Sequence, residues 1–138
     1  MLRNVVFVCC VAVILTACPE ESPYETLRFV NQSNEDIVWT LKLERSGEWY
    51  KSPSSPWCHN KGCEYGVILR EESYDHRLYS DGVKINLKMG WIKYYLFNYD
   101  SVKTIPWQRI CDERIMLKEV RFDTWDDFEN CNFEITYP

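Results

Sequence analysis

Residues 91–99 read WIKYYLFNY, and seven of these nine are apolar or aromatic. A run of that length and character is what a central strand covered on both faces carries. The chain must therefore supply cover on each side of it. At 138 residues, with 46% apolar and 15% aromatic side chains, it has the material for one domain with a sizeable core. It has too little length for two such domains, and wholesale disorder is excluded.

The other segments read mostly as strands. Ile37, Trp39, Leu41 and Leu43 alternate with Val38, Thr40, Lys42 and Glu44, a period-two strand with one apolar face. Residues 27–30 form a short apolar run ended by the turn cluster Asn31-Gln32-Ser33-Asn34. A strand is expected over 65–70, after the loop Ser52-Pro53-Ser54-Ser55-Pro56. Asp81-Gly82 predicts a hairpin, because both residues tolerate positive φ. Tyr74, His76 and Leu78 precede that turn, and Val83, Ile85, Leu87 and Met89 alternate with Lys84, Asn86 and Lys88 after it, up to Gly90.

The last third changes character. Pro106 can open a short helix running to about Cys111. Residues 114–122 look extended. Thr124 fits a helix N-cap with Asp127 at N3, both Asp126 and Asp127 lying in the positive first turn, and this helix ends near Asn130. Phe133, Ile135 and Tyr137 then share one face of a last strand. The expected fold is mainly β (α+β): a small antiparallel β-sandwich-like domain over residues 26–138 with two short C-terminal helices.

The N-terminus predicts an address. Arg3 is the one charge before residues 5–17, an unbroken run of 13 apolar or small residues that suits a signal peptide and is short for a membrane span. Leu15-Thr16-Ala17-Cys18 resembles a bacterial lipobox, which implies lipidation of Cys18 and removal of residues 1–17. Two or more acyl chains would anchor the protein stably, at about 0.8 kcal/mol per buried CH₂. Residues 18–25 then form the lipidated cysteine and a short tether, with Pro19 and Pro23 opposing helix. Glu20-Glu21 resembles the acidic export signal of Bacteroidetes surface lipoproteins, and reads equally as a solvated linker. The expected location is the outer membrane, lipid-anchored, facing the periplasm or the cell surface.

Four cysteines lie beyond the anchor: Cys58, Cys63, Cys111 and Cys131. In an exported domain they predict two disulfides, with three connectivities open. The expected pairing is Cys111 with Cys131, from the ends of the two short helices, and Cys58 with Cys63. A loop of about 20 residues closed by the first pair is worth roughly 3 kcal/mol in the chain-entropy model. The segment from Cys58 to Cys63 also carries His59 and has a second reading as a metal loop, but His76 is the one other histidine. No metal or other cofactor is expected.

The segments "YYLFNYDSVKTIPWQRI" and "LKEVRFDTWDDFENCNFEITYP" resemble the C-terminal part of a family of small Bacteroidetes-type outer-membrane lipoproteins. Trp107, Thr124, Asp127, Phe128, Ile135, Tyr137 and Pro138 fall in the matching places, and "FVNQSNEDI" resembles the family's opening strand and turn. Phe133 stands where the family has tryptophan, and Cys131 where it has a large apolar residue. The resemblance implies a lipid-anchored envelope protein and carries no activity with it. Asp100-Ser101-Val102 resembles the Bacteroidetes O-glycosylation motif, with Ser101 as acceptor, and reads also as an ordinary turn after a strand.

Charge and motifs narrow the function. The net charge is −5, and loss of residues 1–17 removes only Arg3, giving −6 from 15 Lys and Arg against 21 Asp and Glu. Such a domain has no general electrostatic attraction for nucleic acid or for anionic lipid. There is no Gly-rich phosphate loop, no His-Glu-x-x-His and no Gly-x-Ser-x-Gly. His59 and His76 are expected as surface polar residues, and no catalytic residue is assigned. Trp39, Trp91 and Trp107 fit core positions. Trp49, Tyr50 and Trp57 lie in or near loops, where aromatics stack on sugars, anchor a protein partner, or pack over a sandwich edge. The expectation is a non-enzymatic protein-binding or structural module, with a glycan-binding surface lipoprotein using Trp49, Tyr50 and Trp57 as the alternative.

Overall fold

The computed structural model describes residues 23–43 and 65–138. Along them run β1 (Tyr24–Asn31), β2 (Ile37–Leu43), β3 (Tyr65–Ile68), β4 (Ser73–Tyr79), α1 (Ser80–Met89), β5 (Ile92–Asn98), α2 (Tyr99–Thr104), α3 (Trp107–Asp112), β6 (Lys118–Phe122), α4 (Trp125–Asn130) and β7 (Glu134–Tyr137). The strands form a three-stranded sheet in the order β4-β1-β7 and a four-stranded sheet in the order β3-β2-β5-β6. Pairing is antiparallel except between β1 and β7. The mainly β, sandwich-like architecture is the expected one.

The main core lies between the two sheets. Leu27, Phe29, Leu78 and Ile135 from the smaller sheet meet Ile37, Trp39, Ile92, Tyr94, Leu96 and Phe122 from the larger. Phe29 and Trp39 stack across the gap, with centroids 5.0 Å apart and planes 6° from parallel. The segment expected as a two-sided strand is β5, and it is central in the larger sheet. Its alternate residues Tyr95 and Phe97 turn away from the main core, into a second cluster with Val38, Val102 and Ile110 under α2 and α3.

One pole of the sandwich is closed by the predicted turn after β1. Asn31 is buried and uses both ends of its amide. Its Nδ2 donates to the carbonyls of Glu35 (2.6 Å) and Leu69 (3.1 Å), and its Oδ1 accepts from the Ser33 hydroxyl at 2.7 Å. The opposite pole holds the start of β1, the end of β4 and α1, where the Ser80 N–H donates to the Pro23 carbonyl at 2.8 Å. β1 begins at Tyr24, inside the segment read as tether.

Several expectations are corrected. Asp81-Gly82 does not turn a hairpin; it lies in the first turn of α1. Val83 and Leu87, four residues apart, pack on the core, while Ile85 and Met89 are exposed. That is a helical face and not a strand face. The Tyr79 ring closes over Gly82, where a Cβ would sit 3.1 Å from Tyr79 Cδ1. β4 and β5 consequently lie in different sheets, and α1 carries the chain between them. A further short helix, α2, stands where a turn was read, so four helices and not two are present among the described residues. Pro106 occupies the N-cap of α3 rather than its first helical position.

The C-terminal capping expectation is met in full. Thr124 Oγ1 accepts from the Asp127 N–H, and the Asp127 carboxylate accepts from the Thr124 N–H at 2.9 Å, a complete capping box. Cys111 and Cys131 are not bonded to one another, contrary to the expected pairing. The sheet itself separates them. Cys111 lies in α3, whose Ile110 packs with Tyr95 and Phe97 on the outer face of the larger sheet, while Cys131 packs against the core between the sheets. The Cys131 thiol instead contacts the Phe128 carbonyl at 3.2 Å. Cys58 and Cys63 lie outside the described residues.

Candidate functional site: a cationic aromatic surface

Sheet register builds this site. β2 and β5 place Lys42 opposite Lys93, and β5 and β6 place Lys93 opposite Arg121. The three cations form one row across three strands on the outer face of the larger sheet. Like charges placed directly opposite repel, so the row needs compensation. Part of it comes from Trp91, two residues before Lys93 and on the same face. Its ring centroid is 5.8 Å from Lys42 Nζ, 4.9 Å from Lys93 Nζ and 5.5 Å from Arg121 Cζ. Each such contact is worth about 0.5–1 kcal/mol at an exposed site. Glu119 pairs with Lys93, and Arg121 holds Asp123 through two donors, Nε at 2.9 Å and Nη2 at 2.6 Å.

Asp123 links this row to a second tryptophan. A recess of about 320 Å³ between α1 and the start of α4 is lined by Lys84, Leu87, Lys88, Asp123, Thr124 and Trp125. Lys84 Nζ lies 4.6 Å from the Trp125 centroid, and Trp125 Nε1 donates to Glu129 Oε1 at 2.8 Å. Lys42, Lys84, Lys88, Lys93 and Arg121 thus gather with two indoles against Glu119, Asp123 and Glu129. In a chain of net charge −5, this is a local clustering of cations. Flat π faces beside ammonium and guanidinium groups suit ligands that carry carboxylate, sulfate or phosphate.

A second feature lies inside the sandwich mouth. His76 on β4 packs tilted against Trp39, with centroids 4.6 Å apart and planes 53° apart, and meets Tyr94 edge-on at 6.1 Å. Burial pushes its pKa down to about 4. It is half-buried and not the surface residue expected. A cavity of about 180 Å³ beside it is otherwise mostly apolar, with Leu41, Leu43, Leu78, Val83, Ile92 and Tyr94 on its walls. Among the described residues no group of three or more His, Cys, Asp or Glu side chains is placed to hold a metal ion. No described helix is long and apolar enough to cross a membrane.

The expected site residues fare differently. Cys18, Trp49, Tyr50, Trp57, Cys58 and Cys63 lie outside the described residues. Ser101 sits in the first turn of α2, half-buried, with its N–H donating to Asn98 Oδ1 at 2.8 Å. Trp39 is in the core and Trp107 packs on Phe97, as expected. Trp91 belongs to neither core cluster. Its place at the head of the apolar run points to the core. The signal that could have moved it outward is its parity with Lys93, two residues on.

Compared with family models, curated proteins and solved structures, the chain matches none.

Proposed function

We propose that the protein is a lipid-anchored, non-enzymatic module of the cell envelope, held at the outer membrane by Cys18, that binds an acidic segment of a protein partner. The observation that carries the binding half is the row Lys42–Lys93–Arg121 around Trp91 on an otherwise acidic chain. An acidic domain that gathers cations and indoles on one surface selects anionic partners there and repels them elsewhere. The lipobox at residues 15–18 and the resemblance to small Bacteroidetes-type lipoproteins support the address.

Two experiments test this. Labelled fatty acid is incorporated into the wild type and not into Cys18→Ser; unchanged labelling of the variant removes the anchor. Poly-L-glutamate, titrated into the soluble domain at low salt, shifts the tryptophan emission. The shift weakens as salt rises and is lost in Lys93→Gln with Arg121→Gln. A shift with polygalacturonate and none with polyglutamate would favour the glycan alternative. No shift with either polymer discards this surface.

A further inference from the structure

α1 has an apolar outer side that no other part of the described chain covers. Val83 and Leu87 face the core. On the side away from them Ile85 is 56% exposed and Met89 38% exposed. They are four residues apart and so lie one above the other. Lys84 and Lys88 are exposed along one flank, with Asp81 at the start of the helix. Next to the first turn stand two more exposed rings, Tyr79 and Tyr24, at 50% and 41%, with centroids 5.5 Å apart. Arg77 Cζ lies 3.8 Å from the Tyr24 centroid. Aliphatic side chains, tyrosines and basic residues on one side of a helix form the composition that settles in a lipid headgroup layer.

The position of this patch selects the occupant. Pro23 is bonded to the first residue of α1 through the Ser80 N–H. Four residues separate Pro23 from Cys18, and the stretch from one to the other spans at most about 18 Å. A lipid on Cys18 therefore holds this pole, and not the Asn31 pole, against the bilayer. Ile85 and Met89 alone bury too little to bind a membrane from solution. The anchor makes their contact intramolecular, so a weak surface suffices.

We propose that the outer face of α1, through Ile85 and Met89, rests on the same bilayer that takes the lipid of Cys18 and fixes the orientation of the domain. The proposal rests on the lipid-anchor reading, and its test separates the two. Full-length lipidated protein is reconstituted in phosphatidylethanolamine–phosphatidylglycerol vesicles with a trace of phospholipid bearing a diazirine on its acyl chain. After irradiation the vesicles are sedimented and the protein is mapped by mass spectrometry.

We expect residues 80–89 to carry several-fold more label than the turn at residues 69–72, which lies at the far end of β4. Ile85→Glu with Met89→Glu should bring that label down to the level of the far turn while the protein still sediments. Ile85→Ser with Met89→Ser gives the same readout should the glutamates disturb the fold. Equal labelling of the two poles in sedimented wild type, or label that persists in the variants, overturns the proposal and leaves the anchor standing. Wild type left in the supernatant overturns the anchor and the proposal with it.

Discussion

Gly66 on β3 lies directly beneath the indole of Trp39, its register partner on β2. A Cβ at Gly66 would fall on Trp39 Nε1, come within 2.9 Å of Cε2, and meet Tyr74 Cε1 at 3.2 Å. The indole is fully enclosed, and its Nε1 is buried with no hydrogen-bond partner among the described residues. Glycine is required here by close approach and not by φ. Gly66→Ala should therefore destabilise the fold by about 1–3 kcal/mol through overpacking. Trp39→Phe removes the obstructing ring edge together with an unsatisfied donor. In a double-mutant cycle read by urea unfolding, the two substitutions together should cost less than the sum of each alone. Strict additivity would mean that the two residues do not share this space.

His76 makes stability depend on pH in a defined direction. Its folded pKa is pushed down to about 4 by burial between Trp39 and Tyr94. The unfolded value is about 6.5. Between these values the unfolded chain takes up a proton that the fold refuses, so the unfolded state gains as pH falls. The contribution is fully present above about pH 6.5, is lost progressively down to about pH 4, and is flat below. His76→Leu should remove this slope. The measurement is the difference in urea midpoint between wild type and variant from pH 7 to pH 4, which cancels the carboxylates common to both. A constant difference over that range would place the imidazole in water.

Much of the fold is legible because burial between two sheets imposes period two. Ile37, Trp39 and Leu41 on β2, and the continuous run of β5 with helices on its second face, announce themselves in that way. α1 is not legible for a specific reason. Val83 and Leu87 satisfy a strand period and a helix period alike, and the two templates differ at Ile85 and Met89. Those residues are apolar yet exposed, so the deciding positions point the wrong way. The cationic row is illegible for another reason. Lys42, Lys93 and Arg121 are distant in sequence, and only the register of β2, β5 and β6 makes them neighbours. His76 reaches Trp39 across the mouth of the sandwich, which no local pattern encodes.

The cysteines give a test of sheet placement. Burial first, then Glu119 and Cys111, raises the Tyr95 hydroxyl to about 12. Ile110 of α3 packs with Val38, Tyr95 and Phe97, so Cys111 beside it lies on the outer side of the larger sheet, while Cys131 follows α4 on the inner side. A disulfide demands Cα atoms within about 7 Å, and a β-sheet stands between these two. Non-reducing peptide mapping should find no peptide joining Cys111 to Cys131. Recovery of that peptide in quantity would require α3 or α4 to pack on the other side of the sheet.

α4 is six residues long, too short to persist without help. Two devices hold it. The capping box satisfies the first amides, and the Asp127 carboxylate accepts from both Thr124 N–H and Asp123 N–H, at 2.9 and 2.8 Å. These bonds, Thr124 first, hold its pKa below the usual 3.8. The other device is Phe128, fully buried and stacked on Phe122 with centroids 3.8 Å apart and planes 10° from parallel. Thr124→Ala should cost about 1 kcal/mol, and Thr124→Ser much less, since serine keeps the accepting oxygen. Phe128→Ala should cost about 3–5 kcal/mol, which is a large part of the roughly 5–15 kcal/mol available to a domain. Asp127→Asn removes a charge that favours the fold above the carboxylate range, so its penalty should be full at pH 7 and shrink as pH falls through and below 3.8. Thermal unfolding of the four variants at pH 7 ranks them, and the Asp127→Asn difference is then followed toward pH 3. A penalty that stays constant with pH would show that the carboxylate acts through packing and not through its charge at the helix start.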